Sequence, residues 1–160
     1  MQIRTPKTVL RLTILVILYF DAGLALADWK LTTVPQWTTK DGWSLEFTLQ
    51  RKADGPLRSH AGDLPWGTRD RLTLVAVPIA DDGRPLQSAA FIDDLRQNPI
   101  VIRATDTLKG RVVLGTRFPD LSKVNQQSSI GVCYRYAFAL LQRDSKEVAE
   151  NCVVLPKRPG

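Results

Sequence analysis

The chain contains two cysteines, and their placement constrains the fold more than any other feature. Cys133 lies in the apolar run 130–141 and Cys152 in the run 147–155; both runs read as strands, and the polar stretch 142–146 links them. A hairpin centred near Arg143 brings Cys133 and Cys152 almost opposite each other. Directly opposite positions of an antiparallel pair have the short Cβ separation that a disulfide requires. The expected bridge staples the last two strands, and on the chain-entropy model a short loop of this kind gains about 3 kcal/mol. A redox-active role would call for a C-x-x-C motif or a solvent-poised thiol, and the sequence has no such motif.

A disulfide implies an oxidising compartment, and the first residues carry a matching address. Arg4, Lys7 and Arg11 make a positive start, residues 12–20 are apolar apart from Thr13, and Ala25-Leu26-Ala27 places small residues at a cleavage site. This is the three-part layout of a secretory signal. A membrane span needs about 20 mainly apolar residues, and Asp21 interrupts this run well before that. The alternative is an uncleaved anchor with the domain tethered outside. No cysteine follows the run to take a lipid anchor. Residues 1–27 therefore read as a signal peptide, residues 28–156 as one domain and residues 157–160 as a loose tail, with a periplasmic or secreted destination and no stable span once the signal is removed.

Within the domain, residues 43–50 give the clearest strand pattern. Trp43, Leu45, Phe47 and Leu49 alternate with Ser44, Glu46, Thr48 and Gln50, so the first set is expected to face the core and the second water. Residues 28–34 read as a strand that Pro35 ends or bends. Residues 51–70 read as a long polar link, 71–79 as a strand, and Asp82-Gly83 as a tight turn into a strand at 84–92, with Pro85 marking a sheet edge. Residues 91–97 are readable instead as one or two helical turns. Residues 100–102 and 111–118 read as strands separated by a turn around Lys109-Gly110, and 119–129 as a polar loop. No helical period persists. The expected fold is all-β: an antiparallel sandwich of about seven strands.

Tyr134-x-Tyr136-x-Phe138 in the next-to-last strand, followed by a hairpin into the last, resembles the end of a fibronectin type III or other immunoglobulin-like domain, and Trp43 at the head of the second strand adds to the likeness. The resemblance covers about 30 residues and implies the immunoglobulin-like β-sandwich class, with Tyr134 as the candidate for its tyrosine corner. Two features depart from the pattern. The leucine usual a few residues before that tyrosine is displaced, and a bridge within one hairpin differs from the inter-sheet bridge of antibody domains. The resemblance implies no function.

Residues able to carry chemistry are few. His60 is the only histidine, so a Ser-His-Asp site would have to use it with Ser59 and Asp63, yet no nucleophile-elbow signature surrounds them. Zinc would need several His or Cys ligands. The acidic pairs Asp81-Asp82 and Asp93-Asp94 lack a calcium-loop pattern. Neither a metal nor a cofactor is expected. The net charge of +6 is moderate and scattered rather than clustered, which argues against nucleic acid and leaves attraction to an anionic surface open.

The most suggestive segment is 51–71, because so long a link inside a compact domain is uncommon and often functional. Trp66, with Arg58, Arg69 and His60 around it, has the chemistry of a contact anchor; the competing reading is that Leu64 and Trp66 fold back over the core edge. Together these features suggest a non-enzymatic exported interaction domain with a protein partner in the cell envelope. It could be an accessory subunit of a secretion, pilus or envelope assembly, or an inhibitor of another protein. The alternative is a small carboxylate-dependent hydrolase or carbohydrate-binding protein. On export the mature chain is expected to begin at Asp28; Edman sequencing or intact mass that returns Met1 on exported protein would contradict the leader assignment.

Overall fold

The computed structural model describes residues 28–79, 83–90 and 98–158. The proposed leader at 1–27, both acidic pairs and the alternative helical turns at 91–97 lie outside the described residues.

The alternating segment forms the centre of the first sheet. β1 (Trp29–Thr38) and β2 (Gly42–Arg51) make an antiparallel hairpin in unbroken register, and β6 (Thr107–Val113) pairs with the other side of β2. The second sheet has the order β4 (Leu72–Pro78), β7 (Ile130–Ala137), β8 (Val148–Leu155), all antiparallel. A short ribbon pairs β3 (Leu57–His60) with β5 (Pro99–Ile102). Two short helices, α1 (Leu114–Arg117) and α2 (Leu121–Asn125), follow β6.

Trp43, Leu45, Phe47 and Leu49 are buried, as their spacing predicts. Across the core they meet Leu72 and Ala76 of β4 and Val132, Tyr134 and Tyr136 of β7 in one cluster. Phe47 meets Tyr134 edge to face with ring centroids 5.3 Å apart, and Trp29 stacks on Phe138 at 5.3 Å. Such pairs add about 0.5–1.5 kcal/mol each beyond the area they bury. The C-terminal hairpin has the expected register: Cys133 lies opposite Cys152, Cα atoms 4.0 Å apart, and the two are joined by a disulfide.

Several boundaries differ from the sequence expectation. β1 continues through Pro35; it is the edge strand of its sheet, where a residue without an N–H is tolerated. Ser44 is buried rather than facing water. It sits opposite Val113, where the chain leaves β6 for α1, and α1 lies against β2. Residues 114–117 are helical and do not extend the strand, and the strand from Ile130 gives way to a 3-10 turn at Phe138–Leu140. Residues 83–90 form no strand, although Leu86 donates its N–H to Ala76 O at 2.7 Å along the outer edge of β4. The polar link 51–70 is built rather than structureless, containing β3 and a 3-10 turn at Ala61–Asp63. Arg51 closes its first bend: its buried guanidinium donates to the carbonyls of Gly55, Asp54 and Ile102. At the other end of the chain, Pro156, Lys157 and Arg158 are not loose. Asn125 Nδ2 donates to Pro156 O, Lys157 N–H to Ser129 Oγ and Arg158 N–H to Asn125 O, at 3.0–3.1 Å.

The largest change concerns Lys109-Gly110. These residues lie inside β6, and the turn before that strand falls at Arg103–Asp106, where Arg103 N–H donates to Asp106 Oδ2 at 2.7 Å. Gly110 is opposite Phe47, and the indole of Trp66 rests on it: a Cβ at this position would come within 2.2 Å of three ring atoms. Glycine here makes room for an aromatic ring in mid-strand. Gly110→Ala is therefore expected to cost about 1–3 kcal/mol in urea unfolding through overpacking. In a Trp66→Ala background the same change should cost little, and equal losses in both backgrounds would break the assignment.

Candidate functional site

The residues singled out in the 51–71 segment separate into two groups. Arg58 and His60 lie on β3, which β5 holds in place, and Arg69 follows the 3-10 turn. These three line a groove of about 870 Å³ whose far wall is the 139–144 segment, where the chain turns from β7 towards β8. Trp66 is not part of it. Its half-buried ring stacks towards Phe47 at 6.5 Å and covers Gly110, while Leu64 beside it is fully in the core. The segment thus folds back over the core edge through Leu64 and Trp66 and turns its polar residues outward into the groove.

One residue organises the segment. The carboxylate of Asp63 accepts from Arg69 Nη1 at 3.0 and 3.1 Å and from Arg71 Nε at 3.2 Å. Its backbone carbonyl accepts the hydroxyl of Tyr136 at 2.6 Å, a buried bond that ties the segment to β7. The tyrosine bonded to a distant backbone carbonyl is therefore Tyr136, whereas Tyr134, the expected corner residue, packs on Phe47. Gly67 completes the loop by close approach: a Cβ there would lie 2.3 Å from the carbonyl oxygen of Gly62.

Sequence reasoning missed Arg71 and Arg143, which also line the groove. Arg71 looked like the start of a strand and Arg143 like the tip of a hairpin. The arginine density of 51–71 was a visible signal, but nothing in the sequence places Arg143 beside it. Arg58 and Arg143 are exposed and make no ion pair with a described residue. His60 is half-buried, and its Nδ1 is buried without a hydrogen-bond partner among the described residues. No hydrogen bond joins His60 to Ser59 or Asp63, whose carboxylate is taken up by two arginines.

A second surface lies on the outer face of the β4-β7-β8 sheet. The disulfide is exposed there, flanked in register by Val75 on β4 and next to Gly131 and Val154. Val75, Val154 and nearby Ile79 are exposed, Val154 to 54%. The N–H of Cys152 donates to the side-chain oxygen of its neighbour Asn151 at 2.8 Å and not to β7. In a regular antiparallel ladder the backbone groups of alternate residues point the same way, so Glu150, Cys152 and Val154 direct theirs outward. Among the described residues no backbone group other than those of β7 bonds to β8, whereas Leu86 partly covers the opposite edge at β4.

A further groove of about 730 Å³ at the opposite end of the first hairpin is lined by Trp37 and Trp43. Trp43 donates its indole N–H to Asn125 Oδ1 at 2.8 Å, and the Arg158 guanidinium stacks 3.6 Å above the Trp37 ring, so the chain's own tail fills the aromatic face. Among the described residues no group of three or more His, Cys, Asp or Glu is placed to hold a metal ion, and no helix is long and apolar enough to cross a membrane. No protein-family model matches the chain, and no curated protein matches it.

The Tyr136–Asp63 link gives the site a pH signature. Burial and, after it, the Asp63 carboxylate hold the Tyr136 hydroxyl far above the usual tyrosine range, with Arg71 opposing, and burial also raises Tyr134. In the unfolded chain both ionise near pH 10. Above that pH the unfolded state holds fewer protons than the folded one, so stability is intact below about pH 10 and falls as pH rises further. The expected slope is about 1.4 kcal/mol per pH unit from Tyr136, with a further loss of the same sign from Tyr134. Tyr136→Phe should remove the Tyr136 share of this slope while costing about 1–2 kcal/mol at neutral pH through the unpaired Asp63 carbonyl. An unchanged alkaline limb in denaturant titrations would contradict the burial of that hydroxyl.

Proposed function

We propose that this chain is an exported, non-enzymatic interaction domain. On this reading the leader is removed before Asp28, and the mature domain works in the periplasm or outside the cell. It would serve as an accessory subunit of a secretion, pilus or envelope assembly, or as an inhibitor of another protein. The observation that carries the reading is the edge of β8, unpaired among the described residues, with exposed Val154 on that strand and exposed Val75 across the same sheet face on β4. Outward N–H and C=O groups next to an apolar sheet face suit an extended segment of a partner polypeptide added as a further strand. The exposed disulfide agrees with an oxidising compartment.

The strand pairing supports the immunoglobulin-like reading of the fold. On that reading β1, β2 and β6 would correspond to strands A, B and E of the sandwich, and β4, β7 and β8 to C, F and G. The carboxylate-hydrolase alternative finds less support: among the described residues Asp63 is the only buried acid, and two arginines neutralise it.

The test is crosslinking and affinity capture from the envelope fraction with wild type and with Val75→Lys/Val154→Lys. Both positions are exposed, so the double variant should keep the wild-type melting temperature. A partner held by wild type and lost by the variant supports the proposal. A partner held equally by both, self-association in its place, or no partner at all overturns it.

A further inference from the structure

The geometry points to a phosphate-binding function for the groove between β3 and the 139–144 segment: a site for a phosphate monoester, free or carried on a lipid headgroup. Four arginines converge on it from separate parts of the chain, Arg58 from β3, Arg69 and Arg71 from the loop that follows, and Arg143 from the far wall. Only two acids, Asp63 and Asp144, line the same groove, so its walls hold an excess of two positive charges. A phosphate monoester carries a charge of about −1.5 to −2 at neutral pH and offers three acceptor oxygens, which matches that excess.

The four arginines divide into two pairs. Arg69 and Arg71 are held by Asp63, which fixes their positions and uses part of their donor capacity. Arg58 and Arg143 are exposed, face the same groove and make no ion pair with a described residue, so their guanidinium forks remain available. Guanidinium is the side chain best matched to bidentate contact with phosphate oxygens. Four scattered surface arginines would normally spread apart under mutual repulsion; here β3, the Asp63 node and the turn after β7 bring them around one space of about 870 Å³. Leu57, Pro99 and Leu140 form an apolar flank able to accept the organic part of a monoester.

The experiment uses the full disulfide-bonded chain with two probes: inorganic phosphate by calorimetric titration, and vesicles of phosphatidic acid and phosphatidylcholine at one to four by co-sedimentation. Saturable binding in the first arm identifies a free phosphate ligand, and binding confined to the second a lipid-borne one. Arg58→Gln/Arg143→Gln should weaken whichever binding is seen by about tenfold or more, since two charge-assisted contacts are lost. The matched charge change Lys109→Gln/Lys123→Gln, at exposed positions outside the groove, should leave it within about twofold. Where inorganic phosphate binds, the wild-type melting temperature should also rise saturably with it at constant ionic strength, a readout that needs no variant. Absence of saturable binding to either probe, or equal weakening by the two double variants, overturns the proposal. The site stands apart from strand addition at β8, so Val75→Lys/Val154→Lys should bind phosphate as wild type does.

Discussion

The hydrogen bond from the Tyr136 hydroxyl to the carbonyl of Asp63 is the contact on which the rest of the structure turns. It ties a polar segment to the inner face of β7, and everything that segment does depends on the attachment. With its carbonyl held, Asp63 presents its carboxylate to Arg69 and Arg71, which closes the loop on itself. The closed loop lays Leu64 and Trp66 on the core. Without such an anchor, a run rich in glycine, proline and charge would gain too little from burial to offset the entropy of ordering it.

The two faces of this segment explain how one piece of chain both completes the core and builds a surface. Trp66 closes the gap over Gly110, and the polar residues around it are left facing the other way, towards the 139–144 turn. The disulfide has a different role. It lies on the outside of its sheet and adds no core volume, but it locks β7 to β8 in the register that places Tyr134 and Tyr136 inward. Since side chains alternate along a strand, a slip of one residue would turn both tyrosines to solvent and detach the Asp63 loop. The staple and the tyrosine link therefore work together, one setting the register and the other using it.

Much of the first sheet was legible because a strand half-buried on one face writes its environment into the sequence as a period of two. Leu45, Phe47 and Leu49 could be assigned to the core with no knowledge of their partners. The cysteine pair was legible for a similar reason, since a hairpin centred on the polar link 142–146 sets Cys133 and Cys152 opposite each other. The candidate site was only half legible. Arg58, His60 and Arg69 could be picked out as a chemically rich cluster, but Trp66 looked like a contact anchor and instead packs inward. Arg71 and Arg143 belonged to the groove without looking like part of it.

What the sequence determined by itself is local or nearly so: all-β character, the alternation of β2, the β7–β8 hairpin and the pairing of Cys133 with Cys152. Each follows from neighbours along the chain or across one turn. Only the tertiary structure decided that Gly110 lies within a strand, because its reason is a tryptophan more than forty positions earlier. It also decided that Pro35 rides an edge, that Ser44 is buried, and that Arg143 lines the same groove as Arg58. These outcomes depend on which surfaces meet when two sheets close over a core, and no pattern along a single strand carries that information.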